Sequence, residues 1–243
     1  THSLGAVYHF NEKKTWTLYG NLNSSFSPEY RSNPDGSPLD AERGKQKEVG
    51  LRFSLNEGRL VGLVNYYDLL QDNVTIADPN NAGYFLQQKG QRSTGYEVSL
   101  NARMTDNWYV MGGYSYTDAR NDVTGVPKDL QPKDRFTMVN RYNFRQGVLK
   151  NLGLTLGVIY VGERPLTVAT SRGEPNWGPM PDYWKVDVIA NYKYRPKNSK
   201  VSYEFSFKVN NAFDDREIYY VGQWYRYTID PGRVWQAMVG ARF

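Results

Sequence analysis

The sequence predicts an all-β fold, a transmembrane antiparallel up-and-down β-barrel, from three observations. Apolar residues recur with period two in segment after segment, the spacing of a strand with one apolar and one polar face. The connections between those segments alternate between short and long. Aromatics are 15% of the residues, with 20 Tyr, 10 Phe and 6 Trp, in a chain whose mean hydropathy is only −0.68. Disordered chains are aromatic-poor. The longest aliphatic stretch, Leu60-Val61-Gly62-Leu63-Val64, is far below the ~18 apolar residues of a helical membrane span.

Eleven strands follow in order, at about residues 2–10, 15–26, 45–55, 59–71, 91–104, 108–119, 133–145, 152–163, 183–195, 201–211 and 233–243. The first two flank the short turn Asn11-Glu12-Lys13-Lys14. In the third, Val49, Leu51, Phe53 and Leu55 oppose Glu48, Arg52 and Ser54. The fourth carries the aliphatic stretch. In the fifth, Tyr96, Val98, Leu100, Ala102 and Met104 face away from Glu97, Ser99, Asn101 and Arg103. The sixth runs from Trp108 past Tyr114 and Tyr116, and the seventh carries Arg141 and Arg145. Leu152, Leu154, Leu156, Val158 and Tyr160 line one side of the eighth. Trp184, Val186, Val188, Ala190 and Tyr192 oppose Lys185, Asp187, Asn191 and Lys193 in the ninth. The tenth is the most regular, with Val201, Tyr203, Phe205, Phe207 and Val209 against Ser202, Glu204, Ser206, Lys208 and Asn210. Trp235, Ala237, Val239, Ala241 and Phe243 form the apolar side of the last.

Short turns at 11–14, 56–58, 105–107, 146–151 and 196–200 alternate with long loops at about 27–44, 72–90, 120–132, 164–182 and 212–232. A meander then gathers every short turn at one rim and every long loop at the other, as in outer-membrane barrels. Trp16, Trp108 and Phe243 fall at the short-turn rim; Tyr66, Tyr114, Tyr116, Tyr160 and Trp184 fall toward the long-loop rim, where interfacial belts belong. Single-chain bacterial barrels have even strand numbers and periplasmic termini. An odd count of eleven is therefore expected to be the C-terminal portion of a larger barrel, with closing strands upstream of Thr1. Two unpaired edges are not tolerated in lipid.

The chemistry available is narrow. The chain has no Cys and only His2 and His9, which removes thiolate sites; His2 stands near the start of the sequence and His9 near the short-turn rim, so neither is expected to serve a hydrolytic centre among the long loops. No metal or cofactor site is read from it, and it is not expected to be an enzyme. Lys and Arg exceed Asp and Glu by 30 to 25. The basic stretches around Arg43, Lys45, Lys47 and Arg52, and from Arg195 to Lys200, are dispersed around turns rather than gathered with aromatics, so nucleic-acid binding is not expected.

Val209-Asn210-Asn211-Ala212-Phe213-Asp214-Asp215-Arg216-Glu217-Ile218-Tyr219-Tyr220 resembles the penultimate-strand motif of the TonB-dependent outer-membrane receptors. Pro231-Gly232-Arg233 before a last strand ending in Phe243 is similar to their C-terminal signature. Gly95-Tyr96-Glu97, Trp108 and Tyr114 to Ala119 resemble the ferric-siderophore branch. The resemblance implies residues 1–243 are the C-terminal half of a 22-strand barrel with a plugged lumen, the plug and first strands lying outside this chain. It implies a multi-pass protein of the bacterial outer membrane that binds a ferric siderophore and imports it by TonB-coupled transport. The partners implied are TonB with its inner-membrane ExbB/ExbD motor (acting through the plug), outer-membrane lipid and lipopolysaccharide, and the barrel-assembly machinery, for which Phe243 is the signal. A passive porin-like channel, or import of cobalamin, haem or an oligosaccharide, are the alternatives.

For ligand capture, Tyr and Trp give large contact area at low entropic cost, and Arg forks onto ligand oxygens. Tyr219, Tyr220, Trp224, Tyr225, Arg226 and Tyr227 in the final loop, with Arg172 and Trp177 in the loop before it, are the candidates. Glu97, Arg141, Arg145, Asp187 and Glu204 are the lumenal charges expected to face the plug.

Overall fold

The computed structural model describes residues 1–78, 81–88, 90–166, 178–221 and 226–243, with backbone alone at 88, 218–221 and 226–228. Among the described residues there is no helix. The strands are β1 (Ser3–His9), β2 (Trp16–Ser27), β3 (Glu42–Leu55), β4 (Leu60–Asp72), β5 (Val74–Ala77), β6 (Phe85–Gln88), β7 (Gln91–Thr105), β8 (Trp108–Asn121), β9 (Asp134–Asn143), β10 (Leu152–Val161), β11 (Tyr183–Tyr194), β12 (Ser202–Asn210), β13 (Ile218–Val221), β14 (Arg226–Ile229) and β15 (Val234–Arg242).

Eleven of them form one antiparallel sheet in the order β1-β2-β3-β4-β7-β8-β9-β10-β11-β12-β15. Each wall strand pairs with its neighbours along the chain, and the sheet is open, ending at β1 and β15. These are the eleven strands read from the sequence, with ends displaced by at most three residues. The remaining four make two small hairpins inside long loops, β5 with β6 and β13 with β14, which period-two reading assigns to loop.

Register sorts the side chains. One face of the wall carries Tyr19, Gly50, Asn65, Glu97 and Ser115 in cross-strand sequence, with Glu48 two residues along β3 on the same face, and further on Arg141, Thr155, Ile189 and Lys208. This is the lumenal face. On it Tyr19 Oη donates to Glu48 Oε1 at 2.6 Å, and Asn65 Nδ2 donates to the same oxygen at 3.2 Å. Rings on this face lie over cross-strand glycines: Tyr19 over Gly50, Tyr67 over Gly95.

The opposite face is apolar and exposed, as a lipid-facing wall must be. Two aromatic rows cross it. Tyr66, Tyr96 and Tyr116 are register partners, as are Tyr114, Phe136, Tyr160 and Trp184. The rings of Tyr96 and Tyr116 stack at 5.3 Å, and those of Tyr160 and Trp184 approach to 4.6 Å. Near the short turns, Trp16 meets Phe53 at 5.3 Å and Tyr142 meets Phe144 at 4.8 Å. On β8 and β11 alike, Trp108 to Tyr116 and Trp184 to Tyr192 are eight residues apart, about 26 Å along a strand. At a strand tilt of ~35–45° that is a height of about 20 Å, somewhat inside the ~25 Å apolar band between the two interfacial girdles of such barrels.

Candidate ligand-binding mouth

The five long loops all leave the same end of the sheet. Two of them, joining β10 to β11 and β12 to β15, are tied together at their bases. Arg164 and Glu217 are each only 7% exposed and pair at 3.7 Å. Arg164 Nη2 also donates to the Pro181 carbonyl at 3.1 Å, and its guanidinium lies 5.0 Å from the Tyr183 ring. Lys185 forms an ion pair with Asp230. The Asp230 N–H donates to the Glu217 carbonyl at 2.9 Å. Burial pushes the Glu217 carboxyl above its ordinary pKa, with Asp215 adding to the rise and Arg164 and Lys185 opposing it.

The chain enters the final loop through a side-chain turn. Asn211, 4% exposed, donates through Nδ2 to the Asp215 carbonyl at 2.6 Å and accepts the Asp215 N–H at 3.1 Å. Its own N–H donates to Asp187 Oδ1 at 2.8 Å. Local bonding of this kind suits Asn at a turn, and it explains why the motif from Val209 reverses here.

A second tie joins the β2–β3 loop to the β5–β6 hairpin. Arg31 Nη2 and Glu29 Oε2 pair at 2.8 Å, and the Arg31 guanidinium lies 4.5 Å from the Phe85 ring. Arg31 holds the Glu29 carboxyl down at a pKa of about 2. Ser37 holds Asp35 below its ordinary value in the same loop. The Asp40 N–H donates to Gln87 Oε1 at 3.0 Å, and Asn73 Nδ2 to the Ala41 carbonyl at 3.1 Å.

Of the eight candidate ligand residues, Arg172, Trp177, Trp224 and Tyr225 lie outside the described residues. Tyr219 and Tyr220 stand on β13, Arg226 and Tyr227 on β14, where Tyr220 is the register partner of Tyr227 and Val221 of Arg226. These positions therefore belong to a hairpin within the final loop. Glu97, Arg141, Asp187 and Glu204 share the lumenal face. Arg145 does not stand in the wall: β9 ends at Asn143, and Arg145 Nη2 donates to the Asp106 carbonyl at 2.6 Å across the short-turn rim. Asp187 accepts from Asn211, and Glu204 pairs with Lys193 at 3.0 Å, so both also brace the wall itself. Phe243 follows β15, 94% exposed.

Sequence reading missed Arg164, Lys185, Glu217 and Asp230. Lys185 falls on the polar side of a clear strand, but the other three sit outside the wall, where no period marks them.

A family described as "TonB dependent receptor-like, beta-barrel" matches residues 1–212. The metal-pseudopaline receptor of Pseudomonas aeruginosa is 31% identical over 220 residues, covering 88% of this chain and 29% of that protein. The ferripyoverdine receptor of the same species is 27% identical over 222 residues, covering 87% and 26%. The crystal structure of that ferripyoverdine receptor bound to ferripyoverdine superposes with a TM-score of 0.80 at 22% identity, covering 98% of this chain and 32% of the other. The chain thus spans less than a third of the length of each of these relatives.

Proposed function

The chain belongs to the TonB-dependent receptor β-barrel family, and from that premise we propose that the whole protein is an outer-membrane receptor that captures a metal–siderophore complex, ferric siderophore foremost, at its extracellular loops and imports it with energy from TonB. The observation that carries the reading is the tie between two neighbouring loops. The pairs Arg164–Glu217 and Lys185–Asp230 fix the bases of the two loops that hold all eight candidate aromatic and Arg residues. Ordering a loop before the ligand arrives lowers the entropic cost of binding. Tyr and Trp then supply rigid contact area, and Arg pairs with the anionic oxygens of the chelator. The receptors for metal-pseudopaline and ferripyoverdine among its relatives support a chelated metal as cargo.

In this reading the lumenal charges Glu97, Arg141, Asp187 and Glu204 face a plug, through which TonB and its ExbB/ExbD motor act, and the exposed Phe243 is offered to the barrel-assembly machinery. The test is uptake of radiolabelled iron as hydroxamate, catecholate and mixed pyoverdine-type chelates by cells carrying the full receptor. Tyr220→Ala with Trp224→Ala should lower uptake of the cognate chelate at least tenfold, while heat-modifiable barrel in the outer membrane stays at the parental level. Unchanged uptake would remove the final loop from the site. Uptake that persists without TonB would favour a passive channel instead.

A further inference from the structure

Arginine gathers on the lumenal face at the short-turn rim, and the import reading leaves most of it unused. Arg59 precedes β4 and follows on from the register pair Leu60 and Ala102, so it lies opposite Arg103, whose N–H donates to the Arg59 carbonyl at 2.7 Å. Arg103 is the register partner of Tyr109, and Tyr109 of Arg141. One row across four adjacent strands therefore holds three guanidiniums and one phenol. Like charges directly opposite each other destabilise a sheet. Asp106 answers them only in part, pairing through one oxygen with Arg59 at 3.2 Å and Arg103 at 3.0 Å. A fourth guanidinium, Arg145, reaches the Asp106 carbonyl. Arg141 and Arg145 make no ion pair among the described residues. Four cations against one carboxylate leave this part of the rim positive.

The row borders a concavity of about 420 Å³ lined by Arg59, Arg103, Tyr109, Arg141, Met111 and Val139. Met111 and Val139 are register partners two residues nearer the long loops, and they give the concavity an apolar floor beside its charged edge. The Arg103 guanidinium lies 5.9 Å from the Tyr109 ring. Lumenal charge also changes sign along the strands. Glu48 and Glu97 lie toward the long loops. Arg52, four residues on from Glu48, and Arg103, six on from Glu97, lie about 13 and 20 Å nearer the short turns. The short turns of such barrels are periplasmic, so the cationic concavity stands where cargo leaves.

We propose that this concavity is a second binding site, an exit site for an anionic metal chelate, with Arg59, Arg103 and Arg141 on the chelating oxygens and Met111, Val139 and the Tyr109 ring against the organic body. Guanidinium forks match such oxygens, and an apolar pocket with a few convergent polar groups suits a small molecule. A bare inorganic anion leaves the floor unused, and an uncharged ligand leaves the row of like charges unanswered. The candidate residues of the mouth offer the same pairing of Arg with aromatic rings, so a chelate released from above meets that chemistry again at the periplasmic end. The site itself rests on the wall alone; that its anion is the imported chelate rests on the import reading.

The purified intact receptor tests the site, with a fluorophore on a cysteine placed at the exposed Gln146, next to Arg145. The probe is ferric tris(2,3-dihydroxybenzoate), an anionic catecholate that quenches through its visible absorption. Quenching saturates in the parent, and Arg103→Gln raises the half-saturation about tenfold. Asp106→Asn removes the competing carboxylate and lowers the half-saturation severalfold. That opposite sign is not what a purely structural role gives, and it keeps the test open should the Arg variant not fold. In cells carrying the full receptor, the radiolabelled probe is whichever hydroxamate, catecholate or pyoverdine-type ferric chelate the parent takes up. Arg59→Gln with Arg103→Gln leaves its energy-independent capture at the parental level and lowers TonB-dependent uptake about tenfold. Arg195→Gln, Lys197→Gln and Lys200→Gln, charges lost elsewhere on the same rim, lower neither. Equal half-saturation in parent and Arg103→Gln would overturn the proposal. So would displacement by millimolar inorganic phosphate, which would mark a free-anion site, or absence of quenching, which would mark a surface closed by the plug. Saturable quenching in a receptor that captures no chelate would overturn the import reading rather than the site. Capture with uptake untouched by the Arg pair would overturn the exit role rather than the import reading.

Discussion

At the short-turn rim the chain reverses through backbone geometry. Asn56, Glu57 and Gly58 take φ of 50°, 56° and 82°, and Asn151 and Asn198 take 73° and 61°. The two-residue turn Asp106-Asn107 closes β7 onto β8. At the long-loop rim reversal is spread over many residues, and buried side-chain pairs add to the backbone bonds that hold it. Arg164, Asn211 and Glu217 are among the few buried polar groups of the described residues. The contrast follows from what each rim presents. A tight turn satisfies its few backbone groups locally, so its sequence is set by which residues tolerate positive φ. A long loop exposes many such groups and must be ordered by bonds between distant segments. Those bonds leave a surface that can differ from one receptor to another over the same wall.

The largest effect should come from cutting the long-loop tie. Glu217→Leu leaves the Arg164 guanidinium buried without its carboxylate, and breaking a buried pair from one side costs about 3–5 kcal/mol. Amide exchange in the detergent-solubilised receptor reads it directly. The Met180 N–H, which donates to the Arg164 carbonyl at 2.9 Å, and the Asp230 N–H should lose most of their protection. The double variant Arg164→Met with Glu217→Leu removes both charges and should recover most of it. Protection unchanged in the single variant would mean the loops are ordered by something else.

A smaller effect compares a position braced by side chains with one set by backbone. A Cβ at Gly95, just under the long-loop rim, would stand 2.2 Å from the Tyr116 carbonyl oxygen and 2.7 Å from Tyr67 Oη. Gly95→Ala should therefore cost about 1–3 kcal/mol by overpacking. At Gly58 nothing lies within 4 Å, and only φ of +82° opposes a side chain. Gly58→Ala should cost about 1 kcal/mol. Urea midpoints of the purified barrel rank the two, and the reverse order would mean that turn strain outweighs wall packing.

The same contrast explains what the sequence could reveal. The wall is one residue thick, so each strand residue meets either lipid or lumen, and the alternation is written directly in segments such as Val201 to Asn210. Ends were harder: β9 stops at Asn143 because the chain turns there, and Arg145 leaves the wall for Asp106. The hairpins β5–β6 and β13–β14 have four-residue strands, too short for a period to show. Tyr219, Tyr220, Arg226 and Tyr227 were legible as an aromatic and basic group, but not as residues of a hairpin. Arg164 and Glu217 are 53 residues apart in the chain and join only through the order of β10, β11 and β12. No local pattern carries that pairing.

The weakest tie is the most exposed to pH. Arg31 holds Glu29 at a pKa of about 2, against an ordinary 4.5. A depressed carboxylate pKa adds stability that is complete above the unfolded value and lost as pH falls through the folded one. The Glu29–Arg31 bond should thus be constant from neutral pH to about 4.5 and fade between 4.5 and 2. Arg31 also lies over Phe85 on the neighbouring hairpin, so losing Glu29 frees the guanidinium and loosens the β2–β3 loop from that hairpin. A spin label at the exposed Tyr30 position reports this as rising mobility across the same window. Glu29→Gln should be mobile at every pH, and a label insensitive to both acid and that substitution would show that the backbone bonds from Asp40 and to Ala41 hold the loop without the ion pair.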